Sequence, residues 1–143
     1  MSAPIERVVI NCDCAARGNP GPAGAGAVVV AEDGTVLAEV AEGLGETTNN
    51  VAEYTAAIRG LEEAERLGAR EVLLRSDSLL MINQLTGRFR VKTAHLRPLH
   101  DRVRELVRGF DRVDFEHVRR ERNLEADRLA NQGVDNWLAT RGH

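Results

Sequence analysis

The stretch "AVVVAEDGTVLAEVAEGL", residues 27–44, places Asp33-Gly34 between two apolar runs. Asp-Gly in that setting signals a tight hairpin, because glycine supplies the positive φ that such a turn needs without a steric penalty. Residues 24–31 and 35–42 are therefore expected to pair antiparallel, which excludes a helical bundle and an all-parallel sheet. Upstream, "ERVVINCDCA" (residues 6–15) is β-branched and apolar and stops at Gly18, Pro20, Gly21 and Pro22, so a third strand joins a meander.

Beyond the meander the periodicity changes. Thr48, Asn49 and Asn50 precede a pattern with Val51, Tyr54, Ile58, Leu61 and Leu67 on one helical face, stopped by Gly68. "EVLLRSD" (71–77) reads as a buried strand, "SLLMINQL" (78–85) as a helix ending near Gly87, and Arg97-Pro98 as the start of another helix, since proline suits a first turn. "RVDFEHV" (112–118) is a strand, and residues 123–137 form a last helix expected to turn Leu124, Leu129, Val134 and Leu138 towards the core. The order β-β-β-α-β-α-α-β-α predicts an α/β fold: a mixed five-stranded sheet, with the first, fourth and fifth strands parallel and helices on both faces. At 143 residues and 43% hydrophobic content, one domain with a real core is expected over 1–143.

No apolar run approaches the length of a membrane span, and "MSAPIERVVIN" lacks the basic-then-apolar layout of a signal peptide, so a cytoplasmic protein is expected. Cys12 and Cys14 are expected on opposite faces of the first strand, unable to bridge each other, and His95, His100, His117 and His143 show no recognised ligand spacing. Small core residues are the expected role of the thiols. The net charge of −3 hides an asymmetry: residues 1–67 hold four arginines against eleven acids, while residues 88–108 hold seven basic residues against two acids. A basic stretch of that density suits a polyanion, although a solvated helix face has the same composition.

Four acids stand out by position. Asp13 lies in the C-terminal part of the first strand and Asp77 at the C-terminal end of the fourth, its expected parallel neighbour; Glu53 and Asp127 lie in the first turns of two helices. Taken singly, each has an ordinary reading: a strand-end turn, a helix-dipole partner, a helix cap, a surface acid. Together they would converge on one edge of the sheet, where burial and mutual repulsion penalise ionised carboxylates unless cations compensate. Hard oxygen ligands without a thiol or imidazole cluster select Mg²⁺ or Mn²⁺, and two such ions can drive an in-line displacement at phosphorus.

These residues carry a resemblance. "DCAARGNPGPAGAG", "TTNNVAEYTAA", "SDS" and "RNLEADRLAN" resemble type 1 ribonuclease H across nearly the whole chain and in that family's order. The resemblance implies an endonuclease that hydrolyses the RNA strand of RNA–DNA hybrids, largely independent of sequence, leaving 3′-hydroxyl and 5′-phosphate ends. It implies Asp13, Glu53, Asp77 and Asp127 as catalytic ligands of two Mg²⁺ or Mn²⁺ ions, with Asp13 bridging both. Asn19 in its glycine-rich loop and Thr48, Asn49 and Asn50 at a helix N-terminus become expected hybrid contacts, the helix end because free N–H groups favour a phosphate.

The chain departs from the best-known bacterial pattern in three places. "TGRFRVK" crosses directly where that pattern has an extra helix and a basic handle, so Arg88, Arg90 and Lys92 are expected to hold nucleic acid instead. "HVRRERN" is short and lacks a loop histidine, leaving Glu121, Arg122 or His117 as auxiliary candidates. Leu79 follows "SDS" where that pattern has a polar residue, so one hybrid contact is expected to be missing. Two other readings stay open: a hybrid-binding module without strong catalysis, and another polynucleotidyl transferase of the same fold. A monomer is expected, since no spare apolar stripe stands out, and "NWLATRGH" leaves room for a longer protein.

Overall fold

The computed structural model describes residues 5–141. The leader reading at the extreme N-terminus and the ligand reading of His143 fall outside them.

Three antiparallel strands come first: β1 (Arg7–Ala16), β2 (Gly21–Ala31) and β3 (Val36–Thr47). Then follow α1 (Asn49–Arg66), β4 (Glu71–Ser76), α2 (Leu79–Leu85), α3 (Arg97–Val107), β5 (Arg112–His117) and α4 (Leu124–Arg141), with 3₁₀ turns at Ala94–Leu96 and Arg120–Arg122. The sheet order is β3-β2-β1-β4-β5, with β4 parallel to both β1 and β5. This is the mixed sheet expected from the sequence. Between α2 and α3 the chain forms no α-helix, so the direct crossing also holds.

The hairpin closes as its Asp-Gly pair requires. Gly34 takes φ of 90°, and the Ala31 N–H donates to the Thr35 carbonyl at 2.8 Å. Both strands run further than their apolar runs suggest. β2 begins at Gly21 rather than Gly24, and β3 continues to Thr47 through a register shift opposite Ala23 and Gly24. Glycines read as turn punctuation are here strand residues.

One face of the sheet carries a core of large side chains. Val8, Ile10 and Leu74 pack with Tyr54 and Leu61 of α1, Met81 of α2 and Val103 of α3, all essentially inaccessible. Val51 and Leu67 sit half-buried at its margin. The other face is covered by α4, and here the expected stripe needs correction. Leu129 and Val134 are buried, but Leu124 is 60% and Leu138 38% exposed. The buried face of α4 instead runs through Ala126, Leu129, Ala130 and Val134, because small residues let the helix approach Gly24 and Gly26 of β2.

The cysteines need correction too. Side chains on a strand repeat every second residue, so Cys12 and Cys14 share a face and Asp13 takes the other. Cys12 is buried in the core, Cys14 lies at its edge, and both thiols are free. Asp13 pairs in register with Gly26, whose open side faces Ala126 and Ala130 of α4. No described helix is long and apolar enough to cross a membrane.

Candidate active site

The parallel pairing of β1 with β4 ends at Cys12 opposite Ser76, so Asp13 and Asp77 emerge as the next residues on neighbouring strands. Glu53 comes from the first turns of α1, and Asp127 from the first turn of α4. All four acids line one cleft of about 330 Å³, together with Asn49, Cys14, Arg120 and Asn131. Four segments far apart in the chain thus deliver carboxylates to one place.

The two inner acids are the most constrained. Asp13 is 4% and Glu53 8% exposed. Oxygens of both, with the Cys14 sulfur, lie within 4.8 Å of one another. Burial, then repulsion from Glu53 and Asp77, pushes the Asp13 carboxyl up to about 8, against which the Cys14 N–H, donating to Oδ1 at 2.8 Å, pulls down. Burial likewise raises Glu53 to about 7, opposed by hydrogen bonds from the Cys14 thiol to Oε1 at 3.1 Å and the Ser76 hydroxyl to Oε2 at 3.5 Å. The Cys14 thiol is itself driven far up by burial and by Glu53, so it remains an S–H donor.

The two outer acids are held differently. Asp77 precedes α2, but the helix cap is Ser78, whose hydroxyl accepts the Met81 N–H, so the ordinary capping role for Asp77 is already filled. Asp127 accepts a hydrogen bond to Oδ1 from the Asn131 amide at 3.4 Å, and Asn131 also donates to the Asp127 carbonyl at 3.0 Å. Arg17 in turn donates to the Asn131 side-chain oxygen at 3.2 Å and to Asp135 at 2.9 Å. This ties the segment following β1 to α4.

The Asn19 side-chain oxygen accepts the Asn49 N–H at 3.1 Å, fastening the glycine-rich loop to the start of α1. Thr48 caps that helix, its hydroxyl accepting the Val51 N–H at 3.3 Å, while Asn49 lines the cleft and Asn50 is exposed. Arg88, Arg90 and Lys92 lie away from the acids, in a separate hollow beside Leu80 and Phe89.

The three auxiliary candidates do not join the acids. His117 closes β5 and is exposed, and Glu121 and Arg122 face a different hollow beside Asn11 and Val28. Their neighbour Arg120 is the cation that lines the cleft, 3.9 Å from Asp127. Asn131 was also missed, although its place one helical turn after Asp127 is a readable signal. Nothing in local sequence marks Arg120 over Arg119 or Arg122.

A family described as "Reverse transcriptase-like" matches residues 11–133. The chain is 48% identical over 130 residues to a bifunctional protein of Mycobacterium tuberculosis, covering 90% of this chain and 36% of that protein. It therefore spans about a third of the length of that relative. It is 46% identical over 129 residues to the ribonuclease HI of Halobacterium salinarum, covering 90% of this chain and 65% of that one. Among solved structures, LC11-RNase H1 in complex with an RNA/DNA hybrid superposes with a TM-score of 0.87 at 40% identity, over 92% of this chain and 99% of that one. With the sheet order, the four motifs and these matches in agreement, the chain belongs to the ribonuclease H family.

Proposed function

We propose that the protein is an endonuclease that hydrolyses the RNA strand of RNA–DNA hybrids with two divalent metal ions, leaving 3′-hydroxyl and 5′-phosphate ends. The observation that carries this reading is the convergence of Asp13, Glu53, Asp77 and Asp127 on one cleft. The donor set fits hard cations. Two carboxyls are raised by burial and then by neighbouring acids, Asp13 by Glu53 and Asp77 and Glu53 by Asp77, Arg120 is the cation lining the cleft, and the one thiol at hand is held protonated. A divalent ion supplies the missing positive charge; a zinc-type thiolate site is disfavoured by the same facts.

The four acids would hold Mg²⁺ or Mn²⁺, which when bound activates water and stabilises the leaving oxygen of the phosphodiester. The chain's own groups do the rest. Cys14 and Ser76 fix the orientation of the Glu53 carboxylate, and Asn131 that of Asp127. Arg120, 75% exposed on a 3₁₀ turn, is free to swing towards the scissile phosphate and offset its charge. Asn19 and Asn49, with the N-terminus of α1, offer donors and acceptors to the ribose and phosphate of the RNA strand. Arg88, Arg90 and Lys92 would take the phosphates of the DNA strand, a contact without base specificity.

Matched hybrid, duplex RNA and duplex DNA, each incubated with Mg²⁺, Mn²⁺ or chelator, test the reading. The expected result is metal-dependent cutting of RNA paired to DNA, reduced about a thousandfold or more in Asp13→Asn, since even positioning residues behind metal ligands cost ten- to a hundredfold. Hybrid binding without cutting would instead leave a recognition module, and comparable DNA cleavage would indicate another polynucleotidyl transferase. Activity that survives complete metal removal would overturn the mechanism.

A further inference from the structure

The loop after α2 and the outer side of α3 form a groove that continues past Arg88, Arg90 and Lys92, the residues given above to the DNA strand of the hybrid. Three hollows join end to end. The first holds Arg88, Phe89, Arg90 and Lys92; the second shares Phe89 and Arg90 and adds His100 and Arg104; the third shares Arg104 and adds Arg108, Val107 and Phe115. None of the residues lining the acid cleft lines any of them.

Two properties characterise this groove. Its cations are unpaired: among the described residues, Arg88, Arg90, Lys92, Arg104 and Arg108 have no carboxylate within 4 Å, whereas Arg102 on the same helix is paired with Glu62 and Glu105. Its floor is apolar and preformed. Phe89 is 52% exposed although its N–H is anchored to the Asn83 carbonyl at 3.0 Å. Gln84 beneath is held by the Tyr54 hydroxyl at 2.6 Å and by His100 at 3.2 Å. Unpaired cations above an apolar floor with one exposed ring are complementary to a strand that offers both phosphates and bare base faces. A duplex keeps its base faces stacked inside, so single-stranded nucleic acid is the better match.

We propose that this groove binds a single strand leading away from the hybrid, Arg104 and Arg108 taking phosphates and Phe89 stacking under a base. It rests on the reading that the acid cleft seats a hybrid. With one ring available, the gain is modest. The consequence is a preference for hybrids that end in single-stranded tails, or that border a displaced strand, over blunt ones.

Anisotropy binding in chelator, comparing a blunt hybrid with the same hybrid carrying a single-stranded DNA tail at either end, tests this. At least one tailed form is expected to bind about fivefold tighter than the blunt form, in keeping with the lower end of base–aromatic stacking. The Arg104→Ala/Arg108→Ala variant is expected to abolish that gain, to lower the salt slope for the tailed form by about 1.4, and to leave blunt binding and blunt cutting within about twofold, the contacts it removes being outside the cleft. Phe89→Leu, which keeps the apolar floor, is expected to lose part of the gain. Equal affinity for tailed and blunt forms overturns the proposal, as does a variant that weakens both alike. Tail-dependent binding without any cutting would sink the hydrolase reading and keep this one; cutting without tail dependence would do the reverse.

Discussion

The two faces of the sheet are built on opposite rules. Beneath α1 the packing is side chain on side chain, with Ile10, Leu74, Tyr54 and Leu61 filling the space between helix and strand. Beneath α4 it is nearly backbone on backbone. A Cβ at Gly24 would run into the Ala130 carbonyl, one at Gly26 into the Ala126 carbonyl and the Ala130 N–H, and one at Gly43 would lie 2.5 Å from the Trp137 Cβ. The first kind of interface can repack; the second has no slack. Each face also delivers an acid to the cleft, so the difference bears on the site. Gly26 pairs with Asp13 across the strands and meets the residue just before Asp127, so the spacing of those two acids is set by the absence of a side chain between them.

That contrast can be broken most forcefully at Gly26. Gly26→Val is expected to destabilise the fold by about 3 kcal/mol, the upper end of ordinary overpacking, because only backbone lies in the way. In whatever fraction folds, activity should fall about a hundredfold through displacement of Asp127. Thermal melts alongside hybrid cleavage check both, and a variant that melts near wild type with full activity would refute the no-slack interface.

The next effect separates the buried acids from the rest. Asp13 and Glu53 have ordinary values of 3.8 and 4.5 and are raised to about 8 and about 7 in the folded protein. Between those limits the native state binds protons that the unfolded chain has lost. Their contribution is therefore fully present below about pH 4 and disappears as pH rises through about 7 to 8. In chelator, Asp13→Asn is expected to melt higher than wild type at pH 8, with the gap closing towards pH 4. Saturating Mg²⁺ should stabilise wild type at pH 8 and the variant much less. A gap of the opposite sign would show that burial and neighbouring acids do not penalise the ionised carboxyls.

On the α4 side, Asn131→Ala is expected to raise the metal concentration for half-maximal activity about tenfold, as loss of an orienting partner does. The melting temperature should scarcely move, and a drop in stability with an unchanged metal requirement would make Asn131 structural only. Smallest is Gly60→Ala on the α1 face. The new methyl meets the Ile10 Cγ2 at 2.5 Å, partly offset by the better helix propensity of alanine, so a loss of about 1 kcal/mol with normal activity is expected. A penalty as large as that of Gly26→Val would erase the distinction between the faces.

How far the sequence was readable follows the same division. On the α1 face, Tyr54, Ile58 and Leu61 announced themselves by hydrophobic spacing and are buried. On the α4 face the decisive residues were Ala126, Ala130 and the β2 glycines, which carry almost no hydrophobic signal, so Leu124 and Leu138 were given a core role that solvent-exposed positions contradict. The acids were legible because a carboxylate in an apolar run is costly and hence conspicuous. Arg120 was not: three arginines surround one turn, and which of them enters the cleft depends on how the 3₁₀ geometry rotates each Cβ.

The sequence by itself determined the hairpin, the order of strands and helices, and the chemical types that gather at the sheet's edge. Local φ preferences, periodicity and motif order are properties of short segments and survive without a partner. Only the tertiary structure decided that Arg120 and Asn131 line the acid cleft, that Cys14 steadies Glu53, and that Arg88, Arg90, Lys92, Arg104 and Arg108 border a groove rather than the acids. Those outcomes depend on the distance between elements remote in the chain, and here that distance is set largely by glycine and alanine, residues whose effect lies in the space they leave empty.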